Sequence, residues 1–233
     1  QVYMMGETSY YYPQTIFARK AIASGEWGRI FYAEGDYVHD MDNGFYAAYQ
    51  FSGGDDWKQT ASYPPMLYPT PGLGGVLGAW PTHLTSVSCI GIVDDRGDGV
   101  FDREVSLWGN DFSNMSSLYE TADGGVVRHN EFRRVGHPGK SQESRYRYYG
   151  TEGVLEQSTT GTSQTTRTEM ENISDLFITS THHLPAGVEV DGIDPELLHS
   201  FSSGTSTVYD RARLPAEFEG APNGHEGSHH YLA

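Results

Sequence analysis

The pattern of apolar and polar positions predicts one helix followed by a long series of strands. After Pro13, apolar residues recur at helical spacing up to Gly25, which is typical of a helix end. Residues 29–39 then alternate as a strand does, and a further strand is expected at residues 86–92. Residues 40–62 between them are polar and rich in Gly and Asp, which indicates an ordered excursion over a surface.

Alternation repeats between residues 103 and 156. We predict strands at residues 104–108, 116–121, 126–132, 145–149 and 154–156. Asp123-Gly124-Gly125 is typical of a hairpin turn. Successive hairpins predict an antiparallel sheet, and its exposed face is expected to carry Arg128, Glu131 and Arg133.

The remaining segments have weaker patterns. Residues 1–5 are mostly apolar and resemble the end of a strand, and residues 157–180 predict a loop with one possible short strand. A short helix is expected to run from Asp194 to Leu198, and residues 223–231 read as a loop. No internal repeat or linker interrupts the chain, so we predict a single domain over residues 1–233.

The segment from Tyr63 to Cys89 concentrates aromatic residues, prolines and glycines: YPPMLYPTPGLGGVLGAWPTHLTSVSC. Its hydroxyls, imidazole and glycine backbone suit the wall of a ligand pocket, because glycine lets a ligand approach the main chain closely. A tight loop joining two elements would explain the same residues.

Charge and cysteine usage exclude several classes of partner. The formal charge of −16 argues against nucleic acid and anionic membranes, because both would be repelled. No apolar run reaches the roughly 18 residues of a membrane span, and the first residues lack the plan of a signal peptide. The single cysteine, Cys89, permits no intrachain disulfide and is expected to be buried and inert. These features predict a cytoplasmic protein.

Two segments raise the question of metal binding. Residues 94–99, DDRGDG, look like part of a calcium loop but lack the full ligand series and the closing Glu. His225, His229 and His230 lie close together, yet no carboxylate or cysteine completes a set with typical spacing. We therefore predict no metal site.

A set of motifs occurs along the chain in a fixed order: GETSYYYP, GEWGRIFYAEGDYVHD, PPMLYPT, TSVSCIG, YYGTEGVLE and GHEGSHHYL. As an ordered set they resemble the C-terminal domain of the Gfo/Idh/MocA family of NAD(P)-dependent oxidoreductases. The resemblance implies an α+β fold, with a large open, mostly antiparallel β-sheet and helices packed on one face. It also implies oligomerisation through the outer sheet face.

The cofactor half of such an enzyme has no counterpart in the motifs. No G-x-G-x-x-G follows a strand near the start, and the family's Glu-Lys-Pro motif with its catalytic lysine is not present. We expect residues 1–233 to be a substrate-binding and oligomerisation domain, truncated at both ends and without the Rossmann domain. NAD or NADP is expected in the intact two-domain protein, and no cofactor on this chain alone.

The catalytic histidine of the family is also in question. Members with PPMLYPT continue with a His that faces the nicotinamide and the substrate, whereas this chain has Pro71. A rival alignment of residues 74–77 with a glycine-rich family motif places His83 on the catalytic His, but Ala79 on its Asp partner. We prefer the first alignment, because residues 85–89 then fall on the following strand. In both, the Asp/His pair for acid–base catalysis is incomplete.

Several residues are candidates for binding a sugar. Tyr12 and Tyr68 combine an apolar ring with a polar tip, which suits sugars, although core tyrosines have the same properties. The resemblance adds a set near the substrate pocket: Thr70, His225, His229 and His230. A solvated terminus is the alternative for these three histidines.

The predicted function is therefore the substrate-binding half of an oxidoreductase that transfers hydride between a nicotinamide and a sugar or polyol. Its partners would be that small molecule, the Rossmann domain and further copies of the chain. The alternative is a non-catalytic scaffold or oligomerisation module derived from the family. A branch in which NAD assists glycoside cleavage cannot be separated from dehydrogenation on these residues.

Overall fold

The structure is a computed structural model that describes residues 7–42, 45–136, 144–180 and 206–209. The elements predicted at residues 1–5, 194–198 and 223–231 lie outside the described residues.

An eight-stranded sheet forms the centre of the fold, in the order β2-β3-β4-β1-β5-β6-β7-β8. Its strands are β1 Ile30–Val38, β2 Leu84–Val93, β3 Phe112–Thr121, β4 Val126–Phe132, β5 Ser144–Gly150, β6 Gly153–Gln157, β7 Thr162–Thr166 and β8 Met170–Asn172. β9 (Phe177–Ser180) and β10 (Ser206–Tyr209) pair separately. The helices are α1 Pro13–Ser24, α2 Phe45–Gly53, α3 Trp57–Ala61 and α4 Thr70–Ala79, with 3₁₀ turns at Thr8–Tyr11, Gly54–Asp56 and Ser174–Leu176.

The open sheet is mostly antiparallel, and α1 and α4 pack on one of its faces. The predicted fold class is therefore confirmed. The main core lies between these helices and the sheet, and its largest fully buried side chains include Trp27, Tyr146, Tyr148 and Leu155. Burial of large aromatic groups on one face leaves the other face of the sheet open.

One strand pair departs from the antiparallel pattern. β1 and β4 run parallel, with Gly35 opposite His129 and Val38 opposite Phe132. Beyond the strands the pairing continues, because the amide of His39 donates to the carbonyl of Phe132 at 2.8 Å. Residues at the carboxyl ends of both strands therefore meet at one edge of the sheet.

Helix α4 approaches this parallel pair closely because glycines line its inner side. A Cβ on Gly35 would overlap the carbonyl of Gly72, and a Cβ on Gly75 would overlap the Tyr146 ring. Tyr146 donates to the carbonyl of Pro71 at 2.7 Å, and Tyr148 to that of Gly75 at 3.0 Å. The segment read as a pocket wall or loop thus contains a helix, which tertiary packing stabilises despite four glycines.

Several other sequence predictions are confirmed in outline. The predicted helix corresponds to α1 and ends at Gly25, whose φ of 78° is left-handed. β1, β2, β3, β4, β5 and β6 match predicted strands, and β3 and β4 form the expected hairpin. Residues 157–180 hold β7, β8 and β9 and are more regular than expected.

The strand predicted at residues 104–108 is wrong, because this segment forms successive turns. The Asp102 side chain accepts from the amide of Glu104 at 2.9 Å, and the Ser106 hydroxyl accepts from the amide of Asn110 at 3.1 Å. Such local side-chain bonds compete with a strand ladder for the same backbone groups.

The predicted exposed face of β4 is wrong for two of its three residues. Arg128 lies on the open face and pairs there with Glu34 at 2.8 Å. Glu131 and Arg133 project toward the helices instead, and both are buried. Side chains separated by an odd number of positions along a strand point to opposite faces, so the three residues cannot share one.

Cys89 is exposed, contrary to the prediction that it is buried. It lies on β2, which is an edge strand with most of its residues exposed, because the helices cover the middle of the sheet rather than this edge. No helix within the described residues is long and apolar enough to cross a membrane.

Replacing Gly75 by Ala tests the close approach of α4. The added methyl group meets the Tyr146 ring, so we expect a loss of about 2 kcal/mol in the free energy of unfolding and a fall of about 5 °C in Tm. Thermal unfolding followed by circular dichroism measures this.

Gly74→Ala on the same helix is the matched control. The atoms nearest to a Cβ there belong to the side chains of Glu7 and Ser9 and not to the sheet. Equal losses from the two variants would show that contact with the sheet does not set the position of α4.

Candidate functional site

Three tyrosines surround one arginine where β1 and β4 end and α4 begins. Tyr37 comes from β1, and Tyr63 and Tyr68 come from the segment before α4. The guanidinium carbon of Arg133, just after β4, lies 4.8, 5.2 and 5.6 Å from the centroids of these three rings in that order. We call Tyr37, Tyr63 and Tyr68 the tyrosine layer. Cation–π attraction holds the rings against the guanidinium group.

Arg133 forms a buried ion pair with Glu131. Its Nε and Nη2 both lie 3.1 Å from Oε1 of Glu131, and the two side chains are 4% and 2% exposed. The other oxygen of Glu131, Oε2, accepts from the amide of Tyr68 at 3.3 Å. One carboxylate thus holds the arginine and the backbone just before α4 in a fixed relation.

The segment between α3 and α4 contains two unusual backbone conformations. Tyr63 and Met66 have φ of 58° and 53°, which is the left-handed region that residues other than glycine seldom occupy. Such conformations persist where surrounding contacts fix them. At Tyr63 these contacts are the Arg133 guanidinium and the Tyr49 ring, whose centroid is 5.4 Å away. Burial also raises the pKa of Tyr63, and the nearby Arg133 opposes this shift.

An imidazole adjoins the tyrosine layer through Tyr37. The Tyr37 hydroxyl lies 2.5 Å from Nδ1 of His39, and the Tyr37 ring is 5.2 Å from that of Tyr68. His39 and Tyr68 are therefore joined by one intervening ring. This arrangement places a proton-carrying group beside an aromatic surface.

His129 supports the site from beneath. It is fully buried, and because a carbonyl only accepts, its Nδ1 donates to the carbonyl of Gly35 at 2.7 Å. Nε2 has no hydrogen-bond partner within the described residues. Burial lowers the pKa of His129, while the Gly35 carbonyl and then Glu131 and Asp36 oppose that shift. The neutral ring fills the space under Gly72, where a Cβ would overlap it.

The structure separates the residues predicted from sequence. Tyr68 belongs to the tyrosine layer and is 45% exposed. Thr70 begins α4 and is half-buried, and Pro71, which follows it, is buried. Tyr12 precedes α1 and packs against the main core.

The predicted histidines do not join this group in the described structure. His83 lies beyond the end of α4, is exposed, and accepts at its carbonyl from the amide of Ala122 at 2.9 Å. His225, His229 and His230 lie outside the described residues, as do His182 and His183. The roles assigned to all the site residues stay predictions.

Sequence reasoning missed Tyr37, His39 and Tyr63 and placed Glu131 and Arg133 on the wrong face. A signal exists, since YVH closes one predicted strand and EFRR closes another. Charged and aromatic residues at two strand ends converge only if the strands are parallel and adjacent. That pairing was not predicted, because β1 and β4 are far apart in sequence.

The segment that resembled a calcium loop binds an arginine instead. Asp94 Oδ1 and Asp98 Oδ2 each accept from the Arg134 guanidinium at 2.6 Å, and the Tyr46 hydroxyl accepts as well. Burial raises the pKa of Tyr46 to about 12, against the opposing effect of Arg134. In the described part of the chain, no three His, Cys, Asp or Glu side chains are grouped so that they could hold a metal ion.

The glycines of α4 do not fit a dinucleotide site. A pyrophosphate-binding turn needs glycine backbone that a phosphate can approach. Here Gly72 faces Gly35 and His129, and Gly75 faces Tyr146, so protein atoms occupy that space. The described residues therefore provide no place for the pyrophosphate at this helix.

Comparison with solved structures identifies the fold. Levoglucosan dehydrogenase in complex with NADH and L-sorbose matches 74% of this chain at 15% identity and a TM-score of 0.53. An oxidoreductase from Agrobacterium radiobacter, in complex with NAD⁺, L-tartaric acid and magnesium, matches 73% at 12% identity and a TM-score of 0.53. Aldose-aldose oxidoreductase from Caulobacter crescentus, complexed with glycerol, matches 72% at 15% identity and a TM-score of 0.51.

The chain has the fold of one part of these oxidoreductases. It covers 47%, 45% and 46% of their respective chains, about half of each. The resemblance inferred from the ordered motifs is thereby confirmed at the level of the fold. No protein-family model matches the chain, and no curated protein matches it in sequence.

The buried neutral state of His129 predicts a pH dependence of stability. The unfolded chain takes up this proton near pH 6.5, whereas the folded chain resists it, so the folded state loses stability as pH falls below that value. Above about pH 6.5 the ring is neutral in both the folded and the unfolded chain, so no stability is lost there. We expect Tm to fall more for the wild type than for His129→Gln between about pH 7.5 and pH 5.

Calorimetry at matched ionic strength measures both proteins. The His129→Gln variant keeps every other ionisable group, so the difference between the two proteins reports on His129. Parallel declines of Tm would show that His129 does not resist protonation in the folded state.

Proposed function

We propose that this chain is the substrate-binding half of an oxidoreductase that transfers hydride between a nicotinamide cofactor and a sugar or polyol. The observation that carries the proposal is the tyrosine layer at the start of α4, on a fold shared with NAD-binding oxidoreductases. Solved structures with this fold hold L-sorbose, glycerol and L-tartaric acid, all of which are hydroxylated compounds.

The geometry suits a hydroxylated ligand. Tyr68 offers a half-exposed ring face on which the C–H side of a sugar can pack, and its hydroxyl can bond to the ligand. Tyr37 and His39 add further polar groups at the rim. Because Glu131, Arg133 and the Tyr63 ring hold this surface from behind, it is ordered before a ligand arrives, which lowers the entropy cost of binding.

The chain's own residues would bind and orient the substrate and exclude water. His39 carries a titratable nitrogen beside the Tyr37 hydroxyl and is the group we propose for proton transfer, in place of the histidine that Pro71 replaces. A nicotinamide, when bound, supplies the hydride chemistry. We propose that a Rossmann domain outside residues 1–233 binds it, and that these residues form one domain of a cytoplasmic enzyme.

A second proposed role is oligomerisation through the open sheet face. Ile90 and Leu118 on that face are 75% and 51% exposed, and Glu34, Asp36 and three arginines form an ion-pair network beside them. Apolar groups next to ordered charges are typical of protein interfaces. If light scattering detects only monomer at high protein concentration, the proposed oligomerisation is contradicted.

The first role is tested on the protein encoded by the complete reading frame and on this chain alone. We expect the complete protein to bind NAD or NADP and to turn over at least one sugar or polyol. Tyr68→Ala should raise KM roughly tenfold, because the lost ring contact is worth about 1.4 kcal/mol. Steady-state kinetics and calorimetric titration with NADH measure these effects.

Tyr10→Ala is the matched control. Tyr10 is 41% exposed, similar to Tyr68, but it lies near Gly78 at the other end of α4. Its loss should leave KM unchanged. A complete protein that neither binds a nicotinamide nor turns over any sugar or polyol would refute the proposed function.

A further inference from the structure

The fold alone does not determine whether the substrate is charged or neutral. Oxidoreductases with this fold hold uncharged L-sorbose and glycerol, but also L-tartaric acid. An acid usually needs a cation with unmatched charge, and the obvious candidate here is Arg133 in the tyrosine layer. Whether Arg133 can bind the carboxylate of a substrate depends on its other contacts.

Glu131 already cancels the charge of Arg133. Nε and Nη2 of the arginine lie 3.1 Å from the same carboxylate oxygen, and the pair is almost completely buried. A second carboxylate brought to this guanidinium would face Glu131 across a few ångströms of weakly screening protein. Like charges at such separations repel strongly where water is excluded.

One nitrogen of Arg133 nevertheless has no partner. Nη1 forms no hydrogen bond with any described residue, and it is not one of the buried, unpartnered nitrogens. It is therefore not fully shielded from solvent, although the Arg133 side chain as a whole is only 4% exposed. The pair thus presents the two N–H groups of Nη1 as donors, within an ion pair whose net charge is zero, which suits a hydroxyl oxygen.

No other described cation near the tyrosine layer is placed to bind an anionic substrate instead of Arg133. The adjacent Arg134 is occupied by Asp94, Asp98 and the Tyr46 hydroxyl. With a formal charge of −16 over the whole chain, the surrounding potential also repels anions.

Resting on the proposed function, we propose that the Glu131–Arg133 pair makes this site select uncharged sugars or polyols over sugar acids. Arg133 is the specificity-determining residue, because its Nη1 donates to a substrate hydroxyl. Glu131 is the residue that excludes acids. Removing the charge of Glu131 while keeping its shape should therefore convert the site into one that binds a carboxylate.

The test compares wild type, E131Q and E131Q/R133M with two ligands of matched size, sorbitol and sodium gluconate. The glutamine keeps one oxygen for Arg133, gives up the acceptor that the Tyr68 amide uses, and leaves the guanidinium charge unmatched. The double variant removes both charges. Thermal unfolding is followed with each ligand, and with sodium chloride at the ionic strength of the gluconate.

We expect gluconate to raise the Tm of E131Q by about 3 °C more than sorbitol does, because a bound anion replaces the missing charge. The double variant should show no such preference, and the wild type should not favour gluconate. If E131Q does not fold alone, gluconate should restore folding and sorbitol should not.

Two results would overturn the inference. One is a wild-type protein that gluconate stabilises more than sorbitol does. The other is an E131Q protein that gluconate neither stabilises nor restores. Both are read from this chain without a nicotinamide, so failure here is distinct from failure of the proposed function, which shows in cofactor binding and turnover.

Discussion

The contact between α4 and the parallel pair of β1 and β4 is the constraint on which the rest of the structure depends. It is possible because Gly35 and Gly72 meet backbone to backbone, where a methyl group would overlap. Two polar groups in this narrow space donate to backbone carbonyls, Tyr146 to that of Pro71 and Nδ1 of His129 to that of Gly35. These hydrogen bonds offset part of the cost of burying the two polar side chains.

The same contact determines where chemistry is possible. Parallel strands bring Tyr37 and Arg133 to one edge, and α4 brings the preceding segment with Tyr68 over them. Glu131 then ties Arg133 to the Tyr68 backbone. A buried ion pair of this kind contributes little net stability, since desolvation offsets the attraction, but breaking it is costly. Its effect is to fix one arrangement of the tyrosine layer.

Local signals in the sequence were sufficient for α1, β1, β2 and the hairpin of β3 and β4. Each has a clear period and a recognisable end, such as Gly25 after α1 or Asp123-Gly124-Gly125 before β4. They were not sufficient for α4, because its glycines and prolines disfavour a helix until the sheet is beneath it. The exposure of Cys89 was not predicted either, because an apolar edge strand has the same sequence pattern as a buried strand.

The candidate site was less predictable than the fold. Tyr68 was identified from its local chemistry, but its partners come from β1 and β4, which are about a hundred residues apart in the chain. Alternation along β4 determines the sheet face to which Glu131 and Arg133 project only when the face of one neighbouring side chain is already known. No local pattern shows that two strand ends lie side by side, so the arginine at the centre of the site was assigned to the surface.

Chemical shifts of backbone amides and arginine side-chain N–H groups, followed while this chain is titrated with a neutral polyol, test the central claim most directly, that a ligand binds where α4 begins. The account predicts shifts confined to residues 62–72, to the ends of β1 and β4 and to the Arg133 guanidinium. Shifts centred on β2, on the open sheet face or around His83, with the start of α4 unchanged, would contradict it.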